Sequence, residues 1–280
     1  MRIDGHDIGV CSWSLQPKDI GDLIEKVRKL ELGHVQIALA PLLAMDELQR
    51  NEEIHQLRES GLVLTGSSIS FPGEDYSTIA MLRATGGLLP DDRWPARRDF
   101  ALSAGELAAH MNVDFVEFHI GFIPASNDAL YPGLVDRLTE IARGYAANKL
   151  NLLIETGRES ASVLLQFLND LNCRNVGVNF DPGNMVLYGT DDPISAVSVL
   201  NRHIRHVHLK DGVESNQPRV QWGQEVTMGT GEVDFGELLD AFDDVGYTGP
   251  LCIERESGDD RLAEVRAGIR LLKELELSPE

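Results

Sequence analysis

The chain has few cysteines, no long hydrophobic run and no N-terminal segment typical of secretion. Its 280 residues include Cys11, Cys173 and Cys252, an odd number without a Cys-x-x-Cys spacing, which argues against a disulfide framework or a thiolate metal site. No stretch reaches the roughly 18 consecutive apolar residues that a membrane span needs. Residues 1–7 lack the basic and then apolar regions of a signal peptide. We therefore predict a cytoplasmic protein with no membrane partner.

Positive charge is also scarce. The 25 Lys and Arg residues are outnumbered by 45 Asp and Glu residues, which gives a formal net charge of −20. Nucleic-acid affinity comes largely from Lys and Arg that displace counterions from phosphates, so DNA and RNA are poor partner candidates. The sequence leaves both a monomer and a homo-oligomer open.

Strand-like and helix-like segments alternate along the chain. Runs rich in β-branched and aromatic residues cover residues 8–13, 35–39, 62–68, 115–119, 152–155, 176–181, 204–209 and 251–254. Between them, residues 19–30, 94–111, 130–148 and 234–245 carry apolar positions three and four apart, as amphipathic helices do. Eight such units predict an α/β fold, a closed (β/α)8 TIM barrel, and the length fits one domain over residues 1–280.

Four polar residues close consecutive strands of this predicted barrel. Glu155, Asp181, His208 and Glu254 fall in the phase that points inward, at the C-terminal ends of strands five to eight, where active sites of this fold lie. Three carboxylates and an imidazole form a ligand set suited to Mn²⁺, Mg²⁺, Co²⁺ or Zn²⁺. Without a cation they would repel one another and take up protons. The sequence therefore predicts a site for one divalent metal ion.

Each of these residues also has a structural interpretation. A single inward carboxylate could serve as an ion-pair partner, although four at matching depth are harder to explain in that way. Asp181 lies in Asp-Pro-Gly-Asn, a good turn sequence in which its side chain could bond the backbone. His206 is as inward as His208 but one step deeper, so we predict a ligand at 208 and, at 206, a histidine that is either packed in the core or supports the ligands from behind.

Several segments resemble a known family along nearly the whole chain. They are GVCSWS at 9–14, HIGFIP at 119–124, LIE at 153–155, NFDPGN at 179–184, HVHLKD at 206–211, GTGEVDF at 229–235 and CIERE at 252–256. The chain resembles the xylose-isomerase-like TIM barrels, the sugar phosphate isomerases and epimerases related to tagatose 3-epimerase, inosose dehydratase and endonuclease IV. The resemblance implies that the matching Glu, Asp, His and Glu hold the metal, and that Glu155 and Glu254 also move protons on a sugar or polyol substrate.

The chain departs from the epimerase pattern at two positions. Those enzymes usually place a substrate-binding histidine three residues after the metal-binding aspartate, and this chain has Asn184 there. They also carry an arginine shortly before the Gly-x-Gly turn, and the nearest position here is Glu225. Endonuclease IV relatives bind three zinc ions through many histidines, whereas this chain has 8 His in all, few of them at strand ends. The nuclease interpretation is therefore weak.

Other residues are candidates for substrate contact. His119 ends strand four and could bind a hydroxyl or act as an acid, or be a buried structural histidine. Lys210 could polarise a carbonyl or bind phosphate, or pair with Asp211 or another carboxylate. Trp13 could form an apolar floor for a sugar ring, or belong to the core. The Gly-Thr-Gly turn at 229–231 is a low-grade candidate for a phosphate cradle.

The favoured function is that of a divalent-metal-dependent isomerase or epimerase of a sugar or a sugar phosphate. It would abstract a proton next to a carbonyl, form a cis-enediolate and return the proton to another carbon or the other face. One alternative is a metal-dependent dehydratase of the inosose type, in which the same base leads to loss of a β-hydroxyl. The other is a sugar-binding barrel without activity, which has no need for converging carboxylates.

Overall fold

A computed structural model describes residues 1–276, so the last four residues of the predicted domain lie outside the described residues. Eight parallel strands form the barrel. They are β1 (His6–Cys11), β2 (His34–Ala38), β3 (Val63–Ser68), β4 (Phe115–Phe118), β5 (Asn151–Glu155), β6 (Val176–Phe180), β7 (Ile204–Leu209) and β8 (Leu251–Ile253). Each strand pairs with its neighbours in chain order, and β8 pairs with β1. The predicted closed (β/α)8 barrel is confirmed.

Helices surround this barrel. Within residues 1–276 they are α1 (Ile20–Lys29), α2 (Ala40–Leu43), α3 (Glu47–Glu59), α4 (Ile79–Thr85), α5 (Trp94–His110), α6 (Tyr131–Ala147), α7 (Ala161–Leu171), α8 (Pro182–Tyr188), α9 (Pro193–Leu200), α10 (Phe235–Asp244) and α11 (Arg261–Glu276). Side chains of residues just before a helix accept a hydrogen bond from its exposed backbone N–H groups and fix where it begins. Asp19, Asp46, Asp192 and Asp234 cap α1, α3, α9 and α10 in this way.

The strands end close to the predicted positions, with one informative difference at the first. The run predicted over residues 8–13 divides into β1, which ends at Cys11, and a 3₁₀ turn at Ser12–Leu15. Trp13 therefore lies on a turn above the barrel rather than in its wall. A short strand at Arg2–Ile3 pairs antiparallel with β1, and Asp211–Val213 pairs with Gln224–Val226 above β7. None of the helices in the described part of the chain is long and apolar enough to cross a membrane.

Candidate functional site

The four predicted ligands meet at the C-terminal end of the barrel. Glu155 is the last residue of β5, Asp181 follows β6 as the cap of α8, His208 lies one residue before the end of β7, and Glu254 follows β8. All four are buried. One oxygen or nitrogen atom from each lies within 4.8 Å of the others. The alternation of inward and outward side chains thus brings together residues that are up to 99 positions apart in the chain, from 155 to 254.

Glu155 is held on both of its oxygens. His119 Nε2 lies 3.1 Å from Oε2, and Asn184 Nδ2 donates to Oε1 at 3.2 Å. Burial lowers the pKa of His119 to about 3, so this ring is neutral at pH 7. Burial alone would raise the pKa of Glu155, but His119 and His208 against its oxygens reverse the effect and lower it. His119 and Asn184 were predicted to bind substrate, and here both also orient a predicted catalytic carboxylate.

Asp181 has one satisfied oxygen and one that is not. Its Oδ1 accepts the backbone N–H of Asn184 at 2.8 Å, which caps α8. Its Oδ2 is buried and has no hydrogen-bond partner within residues 1–276. That oxygen lies 3.8 Å from His208 Nδ1 and 3.9 Å from Lys210 Nζ. Burial raises the pKa of this carboxyl to about 8, although Lys210 opposes the shift.

Glu254 lies between an indole and an ammonium group. Trp13 Nε1 donates to Oε1 at 2.7 Å, and Lys210 Nζ donates to Oε2 at 3.1 Å. Burial alone would raise the pKa of Glu254, but Lys210 and then His208 lower it well below its usual range. Lys210 also contacts Glu256, so it pairs with Glu254 and Glu256 rather than with the adjacent Asp211. Trp13 and Lys210, which the sequence offered as substrate contacts, both line the cavity next to Glu254.

The orientation of His208 is set from behind by two polar residues of the barrel interior. Its Nε2–H donates to Gln36 Oε1 at 2.6 Å, and Gln36 Nε2 donates to Glu117 Oε2 at 3.0 Å. Because the Gln36 amide is fixed by Glu117, it offers His208 an oxygen, and the proton of a neutral ring is held on Nε2. Burial alone would lower the pKa of His208, but Glu254 and other acidic groups around the ring raise it well above its usual range, so Nδ1 carries a proton 3.1 Å from Glu155 Oε1 and 3.4 Å from Glu254 Oε2, where a metal ion would take its place.

These residues fit a divalent cation. An imidazole lone pair and three carboxylates that face one another repel unless a proton or a metal ion lies between them. Ligand atoms on opposite sides of a Mg²⁺ ion are roughly 4.2 Å apart, since each lies about 2.1 Å from the metal. The observed 4.8 Å limit therefore needs a contraction of only a few tenths of an ångström. Asp181 Oδ2, which has no hydrogen-bond partner within residues 1–276, is available to bind the metal ion.

The link from Gln36 to His208 leads to a prediction about metal affinity. Hydrogen-bond partners behind a metal-binding histidine typically change metal affinity by about 10- to 100-fold. Gln36→Met has similar volume but offers no acceptor oxygen, so we expect weaker Mn²⁺ binding on that scale. Isothermal titration of the metal-free protein measures the change.

Gln36→Glu is the matched rescue variant, because it keeps an oxygen opposite His208 Nε2 and should stay within a few-fold of the unchanged protein. A folded Gln36→Met protein that binds Mn²⁺ with unchanged affinity would show that the amide has no positioning role.

The site opens into a cavity of about 670 Å³ at the mouth of the barrel. Carboxylates predominate among the side chains around it. They are Glu74, Glu117, Glu155, Glu225, Glu254 and Glu256. Lys210 is the one Lys or Arg among the described residues of this lining, and it is already paired with Glu254 and Glu256. The cavity therefore has no free cationic group for a phosphate.

The candidate phosphate cradle has another role. The backbone N–H groups of Gly229 and Gly231 both donate to Asp211 Oδ2 at 2.8 Å, and Val233 N donates to Oδ1 at 3.2 Å. Asp211, the last residue of the HVHLKD segment, thus anchors this loop with a buried carboxylate. Because an internal anion already occupies these donors, the Gly-x-Gly turn offers no phosphate site in this conformation.

Of the two departures from the epimerase pattern, Asn184 contacts Glu155 as described above, and Glu225 takes part in a separate set of contacts. Glu225, at the position nearest the usual arginine, accepts a hydrogen bond from Glu256 N at 2.8 Å and forms an ion pair with Arg255 Nη1 at 3.0 Å. The guanidinium group of Arg255, the residue after Glu254, thus pairs with Glu225 at the cavity rim.

His206, predicted to be packed or to support the ligands from behind, is buried between Asn179 and Thr65.

Some functional candidates were not predicted from the sequence. Gln36 lies between Val35 and Ile37 in a largely apolar strand. Because side chains alternate across a strand, this pattern was the available signal that Gln36 points into the barrel. Tyr76 and Trp222, which also line the cavity, lie in connecting segments where periodicity gives no information.

Comparison with known proteins agrees with this architecture. The family model described as xylose isomerase-like TIM barrel matches residues 19–275. This chain belongs to that family. A crystal structure of a xylose isomerase domain protein from Planctomyces limnophilus is 30% identical, covers 96% of each chain and superposes with a TM-score of 0.87. An uncharacterized protein of Methanocaldococcus jannaschii is 26% identical over 167 residues, which span 54% of each chain, about half the length of that relative.

More distant members share the fold at low identity. A xylose isomerase-like barrel from Mycobacterium smegmatis in complex with magnesium is 17% identical, with 97% and 96% coverage and a TM-score of 0.72. D-psicose 3-epimerase from Clostridium cellulolyticum H10 with D-tagatose is 16% identical, with 96% and 99% coverage and a TM-score of 0.70. A probable 3-DHS dehydratase from Bacillus anthracis is 15% identical, with 95% and 98% coverage and a TM-score of 0.70. Because one fold carries different reactions here, the chemistry must be argued from the site.

Proposed function

We propose that this protein is a divalent-metal-dependent isomerase or epimerase of uncharged sugars or related polyols. The observation that carries the proposal is the convergence of His208 Nδ1 with three buried carboxylates, one of which, Asp181, has an oxygen without a hydrogen-bond partner among residues 1–276. A non-catalytic sugar-binding barrel would gain nothing from this mutual repulsion. The epimerase among the distant members of the family acts on a related class of substrate.

The character of the cavity supports an uncharged substrate rather than a sugar phosphate. Its carboxylates would repel a phosphate dianion, and Lys210 lies within hydrogen-bond distance of Glu254 Oε2. Carboxylates accept hydrogen bonds from hydroxyl groups, and Trp13 offers an apolar ring face beside them. A polyhydroxylated neutral molecule satisfies both features.

The two glutamates divide the proton transfers. One carboxylate, Glu155 or Glu254, takes the C–H proton next to the substrate carbonyl, and the released electron pair forms the C=C bond of an enediolate. The other glutamate, which has taken up a proton from solvent, gives it to the opposite face of the carbon; the C=C electron pair forms the new C–H bond and the carbonyl is restored. The first glutamate then releases its proton to solvent, which resets the site. A bound divalent cation would act as a Lewis acid that favours this ionisation. His119 and Asn184 hold Glu155 in place, and Trp13 and Lys210 hold Glu254.

Deuterium exchange in D₂O tests this function directly. The protein is loaded with Mn²⁺ or Mg²⁺ and incubated with a panel of ketoses, aldoses and inososes. We expect deuterium to appear on the carbon next to the carbonyl of one substrate class, detected by NMR and mass spectrometry, together with the isomeric product. A sample treated with EDTA should show no exchange, and the corresponding sugar phosphates should exchange much more slowly.

Two other results point to the alternatives. A product lighter by one water would identify a dehydratase, in which the same base precedes loss of a β-hydroxyl. Saturable sugar binding without exchange or elimination at full metal occupancy would identify a binding barrel and contradict the proposal.

A further inference from the structure

Three aromatic side chains form a wall of the cavity that the proposed proton transfers do not use. We call Tyr76, Tyr188 and Trp222 the aromatic wall. The rings of Tyr76 and Trp222 are nearly parallel, with an angle of 22° and centroids 6.5 Å apart, and Trp222 meets Tyr188 edge to face at 4.8 Å. Tyr188 ends α8, seven residues after Asp181, which places it roughly 10 Å along that helix from the candidate metal site.

The aromatic wall rests on a small hydrophobic cluster separate from the main core. Trp222 packs against a cluster that consists of Ile79, Leu82, Phe122 and Tyr188. These residues come from α4, α8 and the segment after β4, outside the strands of the barrel. Because the barrel strands contribute no residue to this cluster, it shapes the mouth of the cavity rather than the barrel itself.

A buried arginine holds two of the rings. Arg158 is 5% exposed; its Nη2 donates to the Tyr76 hydroxyl at 3.0 Å and its Nε to the Tyr188 hydroxyl at 3.3 Å. Within residues 1–276 its Nη1 has no hydrogen-bond partner. A guanidinium group is costly to bury unless its donors are well satisfied, and two neutral hydroxyls satisfy them poorly. Stability therefore does not account for the arrangement, whereas a fixed placement of the two tyrosines does.

We propose that the aromatic wall binds a second ring of the substrate, so that the preferred substrate is a glycoside or disaccharide rather than a free monosaccharide. A ring stacked between two others needs about 7 to 8 Å between their planes, so the 6.5 Å between the Tyr76 and Trp222 centroids places the second ring against the cavity side of the wall rather than between the two side chains. Tyr76 is 47% exposed, which leaves part of its ring accessible to a ligand. The 670 Å³ cavity also lies within the roughly 300 to 1,000 Å³ range of pockets that hold drug-sized ligands.

This inference rests on the proposed function for the polyol end of the substrate, and binding measurements test it separately. Isothermal titration in Mg²⁺ compares D-glucose with phenyl β-D-glucoside and cellobiose. We expect both ring-bearing probes to bind about 2- to 10-fold more tightly than glucose, since one good ring contact is worth roughly that factor. Trp222→Ala and Tyr76→Ala should each remove most of this preference and leave glucose binding unchanged.

Val220→Ala is the matched control. Val220 lies on the same segment as Trp222, is 66% exposed and does not line the cavity, so its variant should keep the preference. Equal binding of glucose and the ring-bearing probes, or no binding of either ring-bearing probe, overturns the subsite. Deuterium exchange into a monosaccharide without any ring preference leaves the proposed function standing and the subsite wrong. Tighter binding of the ring-bearing probes without deuterium exchange on any substrate leaves the subsite standing and the proposed function wrong.

Discussion

Glu155→Gln is expected to lower kcat by about 10² to 10⁴ while the protein still binds its metal. General-base catalysis is typically worth this factor, and glutamine keeps the size and one coordinating oxygen of glutamate but loses its basicity. The measurement pairs kcat on the substrate found by deuterium exchange with metal content by elemental analysis. A fall in kcat much larger than the fall in occupancy identifies Glu155 as a base in addition to a ligand.

Glu159→Gln is the control for this variant. Glu159 is a half-buried glutamate four residues further on that lines a separate cavity beside Arg158, and desolvation raises its pKa to about 8. It is therefore protonated at pH 7, and an amide replaces it with little change, so activity should stay near that of the unchanged protein.

Wild-type exchange rates in fully loaded Glu155→Gln and Glu254→Gln would mean that the proton moves through another group, with His119 or Lys210 next in line.

The fold was predictable because its signals are local and periodic. Alternation within strands, three- and four-residue steps within helices, and aspartates such as Asp19 and Asp234 before helices all agree on one barrel. The short helices α2, α4, α8 and α9 were not predicted, since four to eight residues give too little periodicity. The boundary at Cys11 was missed because Ser12 and Trp13 are as compatible with a strand as with a turn.

The inner part of the site was predictable for a related reason. A polar residue that ends an apolar strand marks the barrel mouth, and this rule identified Glu155, Asp181, His208 and Glu254 without any knowledge of their distances. The partner of each ligand could not be assigned in the same way. Nothing local distinguishes Lys210 paired with Glu254 from Lys210 paired with Asp211, because the choice depends on the rotation of β7 against β8.

The outer part of the site depends on loop geometry. Tyr76 and Trp222 lie 146 positions apart, from 76 to 222, in segments without regular pattern, and their contact depends on how two connections fold over the barrel. Loops on a rigid scaffold carry specificity in this fold. Sequence therefore indicated the chemistry of the site better than the identity of the substrate.

Asp181→Asn is expected to abolish the stabilisation that metal gives to the protein while leaving the metal-free protein nearly unchanged. Asparagine keeps the cap of α8, because its side-chain oxygen can still accept from Asn184 N, and the lost Oδ2 has no partner within residues 1–276. A cation that binds only the folded state adds about 2.7 kcal/mol at 100 times Kd. For a chain of this size that corresponds to a rise in Tm of about 5 to 10 °C.

The experiment is a melting series at increasing Mn²⁺ or Mg²⁺ for the unchanged protein and two variants. Asp192→Asn is the matched control, since Asp192 caps α9 with the same geometry but is not one of the four candidate ligands. The unchanged protein and Asp192→Asn should gain stability with metal, and Asp181→Asn should give a flat Tm or require far more cation. An equal rise in all three would show that the ion binds without Asp181, and a flat Tm in all three would mean that the converging carboxylates hold no metal. Only a rise that depends on position 181 and spares position 192 assigns the cation to this site, because the two substitutions are chemically identical and differ only in what surrounds the carboxylate.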